Sequence, residues 1–486
     1  MFPYGWLGQP RTANTKESLT PAGNLASRPR RATLPAMNLS RLLDARAAAG
    51  RPIRVGVIGA GKFGAMFLAM AARRPGIHVA AIADLSPARA RANLARIGWE
   101  AERAAAPSLD AALASGATFL TEDAACVNDP RIEVVVESTG HPAAGIAHAL
   151  AAIAAGQHVV MVNVEADVLA GPLIARRAAA AGVVYSMAYG DQPALVSELV
   201  DTIRAMGLPV VAAGKGTKYL PRYHESTPET VWGFYGLTPE QAAAGGMNPQ
   251  MFNSFLDGTK SAIEMAAIAN ATGLAPPEDG LLFPACGVQD LPHLLRPAAE
   301  GGLLPRKGMV EVISSLERDG RPVAGDLRWG VYAVFEGETD YIRRCFGEYG
   351  VRTDESGRYA ALWRPYHLIG LELGVSVASV ALRREPTGSA EAWRADAAAT
   401  AKRDLRAGEI LDGEGGAMVW GKCIPAARSL RENALPIGLA HGVRLLRDIP
   451  KGALLRQSDV ALDATLEAVR LRREMEEEAR PLLAAA

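Results

Sequence analysis

Short apolar runs alternate with segments of helical period between residues 53 and 190. We predict buried strands at 55–58, 78–83, 132–136, 158–164 and 185–189, because each is a mostly apolar run of strand length. Helical segments of crossover length separate these runs. The order predicts an α/β fold whose first domain is a doubly wound parallel sheet.

A glycine-rich motif, G-x-G-x-x-G, follows the first strand, and the second strand ends in an acid, Asp84. The residues of the motif that we expect to hold a dinucleotide are Gly59, Gly61, Lys62, Phe63 and Gly64. The first glycine makes a tight turn, the second lets the backbone approach a pyrophosphate, and the third lets a helix, predicted at 65–72, pack on the strand. The Asp84 carboxylate is placed to accept a hydrogen bond from a ribose 2′-hydroxyl of the dinucleotide. This context predicts a Rossmann dinucleotide-binding domain, and a structural glycine turn in another α/β domain is the alternative.

Polar residues also follow the later strands, at the sheet edge where ligands of such folds bind. The residues expected to contact the cofactor there are Ser138, Thr139, Gly140 and Asn163. Asn163, Glu165 and Asp167 occupy alternate positions, so they share one face if the segment is extended and could hold a substrate or a divalent cation. Alternatively, the segment is a helix N-terminus, with Asp167 capping a helix over 168–181.

A lysine-rich segment follows the strand predicted at 210–214. Lys215 and Lys218 flank a glycine and a threonine there. This arrangement suits a clamp for an oxyanion or a phosphate, and a solvated loop is the alternative.

The helix predicted within residues 251–270 has one polar stripe on an otherwise apolar surface. Positions i, i+3, i+4 and i+7 of the stripe are Asp257, Lys260, Ser261 and Glu264. An unpaired buried charge is costly, so the stripe should face a polar cavity. A Lys–Glu pair on a surface helix is the alternative. Asn253 and Ser254 lie just ahead of the stripe and would extend the site.

The length, charge and cysteine content of the chain limit the classes of protein to which it can belong. A chain of 486 residues is long enough for about two or three domains. Lys and Arg together number 52, and so do Asp and Glu. The chain therefore has no net positive charge that would favour nucleic acid as a partner. The four cysteines form no C-x-x-C motif, which fits a reducing cytoplasm. No apolar run reaches the roughly 18 residues of a membrane-spanning helix.

Four segments are predicted along the chain. They are a disordered leader at 1–36, a dinucleotide-binding domain at 37–190, an α+β catalytic and oligomerisation domain at 191–385, and a small β-rich domain with its tail at 386–486. The leader is rich in Pro, Arg, Thr and Ser, and Met37 is an alternative start. The motif R-D-x-x-x-G-x-x-L occurs at 403–411 and at 447–455, which predicts paired hairpins in the last segment.

Longer motifs extend this interpretation. A resemblance to the homoserine-dehydrogenase superfamily rests on GVIGAGKFG, VVVESTGHP and the HVV-x-x-N strand. The chain further resembles one branch of it, the 1-deoxy-D-xylulose 5-phosphate reductoisomerase-like proteins, in GKGTKYLPRYHESTPETVWG, FLDGTKSAIEMA, RPYHLIGLELG and the doubled R-D tail. The resemblance covers about residues 37–465, and the tail resembles a SAF domain, which has a β-clip fold.

The resemblance implies an NADPH-dependent enzyme that rearranges and reduces 1-deoxy-D-xylulose 5-phosphate to 2-C-methyl-D-erythritol 4-phosphate, as a homodimer or a higher oligomer. Homoserine dehydrogenases have a lysine directly after the asparagine that matches Asn163, and Val164 in that place argues against homoserine as the substrate. Asp84 favours NAD because an acid repels a 2′-phosphate, although Arg89 would compensate. We therefore expect NADP or NAD as the cofactor and a small phosphorylated substrate.

These residues predict a mechanism. Lys218 and Lys260 would polarise a carbonyl or bind phosphate, while Asp257 or Glu165 would act as acid or base. The residues expected to contact the substrate are Lys215, Asn253, Ser254 and Glu264. Mg or Mn would suit the rearrangement, with Glu165, Asp191 and Glu264 as candidate ligands, although no sequence spacing demonstrates a metal site. The alternatives are a dehydrogenase of a small hydroxy acid and, in another class, a SAF-domain binding or assembly protein.

Overall fold

The computed structural model describes residues 38–244 and 246–484. The leader predicted at 1–36 and the alternative start at Met37 lie outside these residues. Among the helices of the described ranges, none combines the length and the apolar composition that crossing a membrane requires.

A six-stranded parallel sheet forms the first part of the described chain. Its strands are β1 (Ile53–Ile58), β2 (Ile77–Ala83), β3 (Phe119–Thr121), β4 (Val134–Glu137), β5 (His158–Met161) and β6 (Tyr185–Met187). Their spatial order is 3-2-1-4-5-6, and all neighbouring pairs are parallel. This order confirms the Rossmann prediction and puts the point where the strand order reverses between β1 and β4.

Alternate residues of these strands face two separate apolar cores. Val135 packs with Ile146 on one face of the sheet, whereas Val134 and Val136 pack with Phe67 on the other. The helices of this part are α1 (Leu39–Ala48), α2 (Lys62–Ala71), α3 (Pro87–Arg96), α4 (Leu109–Ser115), α5 (Pro142–Ala154) and α6 (Val164–Ala180). Because both faces are covered, the strands are apolar at successive positions.

Two of these helices begin earlier than the sequence pattern predicts. The strand predicted at 158–164 ends at Met161, because Asn163 caps α6. Likewise, α2 begins inside the glycine-rich motif, at Lys62. Both helix N-termini therefore point their free N–H groups at the carboxyl edge of the sheet, where they favour anions.

A four-stranded mixed sheet forms the middle of the chain. Its strands are β7 (Val210–Thr217), β8 (Met309–Ser314), β9 (Val331–Glu336) and β10 (Tyr359–Arg364), in the spatial order 10-9-7-8. Its helices are α7 (Gln192–Ala205), α8 (Val231–Tyr235), α9 (Pro239–Ala244), α10 (Pro249–Leu256), α11 (Thr259–Thr272), α12 (Leu291–Leu294) and α13 (Asp340–Glu348). As predicted, α11 is buried almost all round, and it packs against both α6 and α7.

The apolar segment 366–382 is helical in its second half, as α14 (Gly374–Leu382), and not throughout. Gly370 has a φ of +79°, and a Cβ there would lie 2.8 Å from the Phe63 carbonyl oxygen. The chain therefore passes too close over α2 for a side chain before the helix begins. α14 then packs on α1, α2 and the strands β4 to β6, so this segment returns to the first sheet.

Two small antiparallel sheets form the last part, from residue 395 onward, which we call the C-terminal domain. Its elements are β11 (Ala395–Ala401), β12 (Ile410–Asp412), β13 (Val419–Pro425), α15 (Ala426–Glu432), β14 (His441–Arg444) and α16 (Glu467–Ala484). β11 pairs with β13, and β12 pairs with β14. The two R-D motifs pair with each other, since Leu405 and Ile449 exchange backbone hydrogen bonds of 2.8 and 2.9 Å.

Candidate active site

A cavity of about 730 Å³ lies between the glycine-rich turn, α11 and the C-terminal domain. Predicted cofactor residues in its lining are Gly61, Lys62, Phe63, Ser138, Thr139, Gly140 and Asn163. Predicted catalytic or substrate residues in its lining are Glu165, Lys215, Lys218, Ser254, Lys260 and Glu264. Glu414 of the C-terminal domain also lines the cavity, so the fold brings together residues from all three predicted domains in one concave site.

The glycine-rich turn has the shape that a pyrophosphate needs. Gly59 has a φ of +92°, and a Cβ on Gly64 would lie 2.2 Å from the Gly59 carbonyl oxygen, so both positions shape the turn without lining the cavity. Gly61 is the N-cap of α2, and a Cβ built there meets no atom within 4 Å. The open space at Gly61 lies in front of the N–H groups that begin α2.

Asp84 supports the same turn. One of its oxygens accepts the backbone N–H of Ala60 at 2.9 Å, and the other accepts that of Ser86 at 2.9 Å. The Arg89 guanidinium lies 3.2 Å from the carboxylate and is largely exposed. Asp84 does not line the cavity of about 730 Å³, so its contact with a ribose remains a prediction.

The loop after β4 is tied to this turn and to the end of its own strand. Ser138 Oγ donates to the Gly59 carbonyl oxygen at 2.8 Å. Thr139 Oγ1 donates to a carboxylate oxygen of Glu137, a fully buried residue, at 2.5 Å. These bonds hold Ser138 and Thr139 in place in the cavity lining.

Asn163 caps α6, so the segment around it is a helix N-terminus, as the alternative interpretation predicted, although the cap is Asn163 and not Asp167. Its Oδ1 accepts the backbone N–H of Ala166 at 3.1 Å. Because the following residues are helical, Glu165 and Asp167 do not share a face. Glu165 lines the cavity, whereas Asp167 is buried and accepts a hydrogen bond of 2.8 Å from the Tyr185 hydroxyl. Burial raises the pKa of Asp167 to about 7.

Two lysine–carboxylate pairs lie in the cavity wall. Lys260 Nζ is 2.5 Å from Glu165 Oε1, and Lys215 forms an ion pair with Glu264. Burial by itself lowers the pKa of Lys260, but the surrounding carboxylates, Glu165 foremost, raise it above its ordinary value. Lys260 is therefore a fixed positive charge, which suits stabilisation of a developing alkoxide.

Two further acids lie close to Lys260. Burial raises the pKa of Asp191 to about 7, with Glu264 adding to the shift and Lys260 opposing it. Burial raises the pKa of Glu414 to about 8, with Glu165 adding to it and Lys260 opposing it. Carboxyl groups that titrate near neutral pH can exchange protons with a substrate.

The carboxylates of this site do not form a metal centre. Within the described ranges, no three His, Cys, Asp or Glu side chains are placed to hold a metal ion. Glu165 and Glu264, two of the predicted ligands, are paired with Lys260 and Lys215. The predicted Mg or Mn site is therefore not supported, because ammonium groups supply the positive charge among these acids.

A second group of cations lies in the same cavity. Lys218 Nζ donates to the Phe234 carbonyl oxygen at 2.6 Å, and its ammonium lies 5.6 Å from the centre of the Tyr235 ring. Burial lowers the pKa of Lys218, and the nearby charge of Arg328 lowers it further. An anion between Lys218 and Arg328 would relieve this repulsion.

Asp257 and Asn253 do not belong to the cavity, contrary to the sequence prediction. α10 ends before Asp257, and Gly258, with a φ of +94°, turns the chain before α11 begins. Asp257 is consequently buried against Lys402 of the C-terminal domain, with 2.8 Å between Oδ2 and Nζ. Asn253 is fully buried, and its Nδ2 donates to the Gly415 carbonyl oxygen at 2.9 Å. Both side chains contact the C-terminal domain and neither lines the cavity.

Sequence reasoning missed two charged residues of the cavity lining, Arg328 and Glu414. Arg328 lies in a turn, residues 325–330, that has a glycine at each end and comes just before β9. This pair of glycines is the one local signal in the sequence that could have indicated Arg328 as a site residue. Glu414 lies in a turn of the C-terminal domain that carries no motif.

Three family-level comparisons match successive parts of the chain. An oxidoreductase family with an NAD-binding Rossmann fold, GFO/IDH/MocA, matches residues 53–162. The catalytic domain of oxidoreductase DRL matches residues 190–373, and the SAF domain matches residues 396–461. No curated protein matches the chain.

Several solved structures are similar to parts of the chain at low identity. A homoserine dehydrogenase from Thiobacillus denitrificans is 22% identical over 46% of this chain and 50% of its own, with a TM-score of 0.33. An NAD-binding oxidoreductase from Klebsiella pneumoniae is 18% identical over 64% of this chain and 66% of its own, with a TM-score of 0.30. A DOX-P reductoisomerase solved with magnesium is 17% identical over 46% of this chain and 58% of its own, with a TM-score of 0.31. This chain thus spans half the length of the homoserine dehydrogenase that it matches.

The family matches agree with the geometry of the cavity. The Rossmann match covers β1 to β5 and the glycine-rich turn, and the DRL match covers Lys215, Lys218 and Lys260. The chain therefore combines an NAD-binding Rossmann domain and a C-terminal SAF domain, and its middle part, residues 190–373, is similar to the catalytic domain of oxidoreductase DRL.

Proposed function

We propose that the chain reduces a small phosphorylated ketose, and that its reaction is the conversion of 1-deoxy-D-xylulose 5-phosphate to 2-C-methyl-D-erythritol 4-phosphate. One observation carries the proposal: the open turn at Gly61, the Lys260–Glu165 pair and the cations Lys218 and Arg328 all line one cavity. A cofactor, a reacting carbonyl and a phosphate can be placed together there. The sequence resemblance supports the choice of substrate and a homo-oligomeric state.

The cofactor would supply or accept a hydride at its nicotinamide ring. Its pyrophosphate would rest on the N–H groups at the start of α2, where the helix dipole favours an anion. Its nicotinamide would lie against Ser138–Gly140 and Asn163. Lys62, on the first turn of α2, supplies a further positive charge to the same part of the cavity.

Lys260 would hold the carbonyl oxygen of the substrate and stabilise the negative charge that develops on it during reduction. Glu165 keeps the ammonium of Lys260 in place by their 2.5 Å contact. Asp191 would exchange the proton that a rearrangement of a hydroxyketone requires, since its pKa of about 7 permits both protonation states near neutral pH. The phosphate would be held by Lys218 and Arg328, because two like charges close together favour an anion between them.

The choice between NAD and NADP depends on Asp84 and Arg89. The Asp84 carboxylate would repel a 2′-phosphate, whereas the exposed guanidinium of Arg89, 3.2 Å away, would attract one. The resemblance favours NADP, so we propose NADPH as the preferred reductant.

A dehydrogenase of a small hydroxy acid, similar to homoserine dehydrogenase, is the alternative enzyme. Its support is that Lys218 and Arg328 would also hold a carboxylate. The alternative of another class, a SAF-domain assembly protein with a degenerate nucleotide domain, has less support because the space at Gly61 is open for a cofactor.

The test follows oxidation of NADPH and of NADH by the full chain against a panel of phosphorylated ketoses and hydroxy acids. Products are identified by mass and NMR. A reductoisomerase changes the carbon skeleton of 1-deoxy-D-xylulose 5-phosphate, whereas a plain dehydrogenase leaves the skeleton intact. Failure to bind either dinucleotide, or reduction without rearrangement, would contradict the proposal.

A further inference from the structure

A loop of the C-terminal domain, residues 413–418 between β12 and β13, reaches the cavity that holds the proposed active site. Glu414 from this loop lines the cavity together with Ser254 and Lys260. The residues that the DRL catalytic family matches end at 373, so this wall of the cavity comes from the SAF domain.

The loop is fixed against α10 by hydrogen bonds and by close packing. Gln250 Nε2 donates to the Glu414 carbonyl oxygen at 2.9 Å, and Asn253 Nδ2 donates to that of Gly415 at 2.9 Å. Gly415 has a φ of +67°, and a Cβ there would lie 2.0 Å from the Gln250 carbonyl oxygen. A side chain at Gly415 would therefore push the loop off the helix, whereas glycine lets Glu414 enter the cavity.

The surroundings of the Glu414 carboxyl group come from several elements. Ser254 on α10 lines the same cavity, Lys260 on α11 and Glu165 on α6 act on this group electrostatically, and so does Asp257 between α10 and α11. Asp257 is itself paired with Lys402. Because burial raises the pKa of Glu414 to about 8, the group can carry a proton at neutral pH and can then both donate and accept a hydrogen bond.

We propose that the SAF domain completes the substrate site, with Glu414 hydrogen-bonding a hydroxyl group of the phosphorylated ketose. The inference rests on the proposed function. A hydroxyl group donates and accepts, so it matches a carboxyl group in either protonation state, whereas the phosphate suits Lys218 and Arg328. Glu414 then selects among phosphorylated ketoses by their hydroxyl groups, and the SAF domain is part of the enzyme's specificity.

The experiment compares wild type with Glu414→Gln, Glu414→Ala and the control Glu477→Gln, an exposed glutamate on α16. Each full-length protein is assayed with NADPH and 1-deoxy-D-xylulose 5-phosphate. The analogues that lack the 3- or the 4-hydroxyl group lack a group that the rearrangement uses, so they are measured as competitive inhibitors of this reaction. Thermal unfolding and the Kd for NADPH confirm that each variant is folded.

We expect Glu414→Ala to raise KM for the full substrate about tenfold to a hundredfold, with a smaller rise for Glu414→Gln, while the Kd for NADPH stays unchanged. For the analogue that lacks the contacted hydroxyl, the Glu414 variants and wild type should have similar inhibition constants, which a merely structural role would not produce.

Equal losses of affinity for the substrate and for both analogues, or an unchanged KM for the Glu414 variants, would overturn the role of Glu414 while leaving the proposed function standing. A folded wild-type protein that oxidises NADPH with none of the ketose phosphates would overturn the proposed function, and this assignment with it.

Discussion

Lys402 Nζ lies 2.8 Å from Asp257 Oδ2, and both side chains are almost inaccessible to solvent. Lys402 follows β11 in the SAF domain, whereas Asp257 lies three residues before Lys260 of the candidate site. Lys402 also donates to the carbonyl oxygens of Ser226 and Gly416 at 2.7 and 2.6 Å. The SAF domain is thus attached directly behind the proposed catalytic lysine.

Removing Lys402 should therefore destabilise the chain. Lys402→Met leaves the Asp257 carboxylate buried without its partner, which typically costs about 3–5 kcal/mol of unfolding free energy. Chemical denaturation measures the change. The double variant Lys402→Met, Asp257→Asn should recover part of the loss, and the exposed pair of Arg406 and Asp448 offers a control, since Arg406→Met should leave the transition in place. A Lys402→Met protein as stable as wild type would contradict the structural role.

Two glycines of the turn should respond differently to the same substitution. Gly64→Ala should lower the thermal stability, because its Cβ would lie 2.2 Å from the Gly59 carbonyl oxygen. Gly61→Ala should keep the stability, because no atom lies within 4 Å of its Cβ, but it should weaken NADPH binding about tenfold or more by entering the space for the pyrophosphate. Thermal unfolding and a fluorescence titration separate the two effects. Normal NADPH affinity of Gly61→Ala would place the cofactor elsewhere.

Lys260 should be required for turnover. Lys260→Ala removes the charge that would stabilise the developing alkoxide, so we expect kcat to fall roughly a hundredfold or more. Steady-state kinetics measure this, with the exposed Lys451→Ala as the matched control. Near-normal turnover of a folded Lys260→Ala protein would remove Lys260 from the mechanism.

Lys218 and Arg328 should bind the phosphate. We expect Lys218→Met and Arg328→Met each to raise KM about tenfold to a hundredfold for a phosphorylated substrate, because each loses a charge-assisted hydrogen bond to the anion. The same variants should change KM little for the substrate without its phosphate group. If KM rises equally for both substrates, these cations act on the fold or on another part of the substrate.

Asp167 should make the stability depend on pH. Its pKa is about 7 in the folded chain, whereas an unfolded aspartate titrates near about 4. Between these values the folded state holds the extra proton, so the free energy of unfolding falls as the pH rises. An asparagine at this position would not titrate, so Asp167→Asn removes this pH dependence. We therefore expect the free energy of unfolding of the variant, relative to that of wild type, to be larger at pH 8 than at pH 5 by roughly 3 kcal/mol. Denaturation at both pH values measures the gain, and the exposed Asp201→Asn should follow wild type.

The parallel sheet and the glycine-rich turn could be predicted from the sequence. Apolar runs and glycine positions act through backbone preferences within a few residues, so the strand predicted at 78–83 agrees with β2 (Ile77–Ala83) to within one residue. The pattern was less informative at Asn163, because a polar residue at alternate positions is equally compatible with a strand and with a helix cap. The cap decided that Glu165 faces the cavity and Asp167 does not.

The sequence by itself determined that a dinucleotide turn precedes a helix and that charged residues lie in a buried middle segment. Only the tertiary structure decided which charges share the cavity. A single glycine, Gly258, turns the chain so that Asp257 faces Lys402 while Lys260 faces Glu165. Glu414 arrives from a separate domain. Local periodicity cannot encode such contacts, because they depend on how segments far apart in the chain pack together.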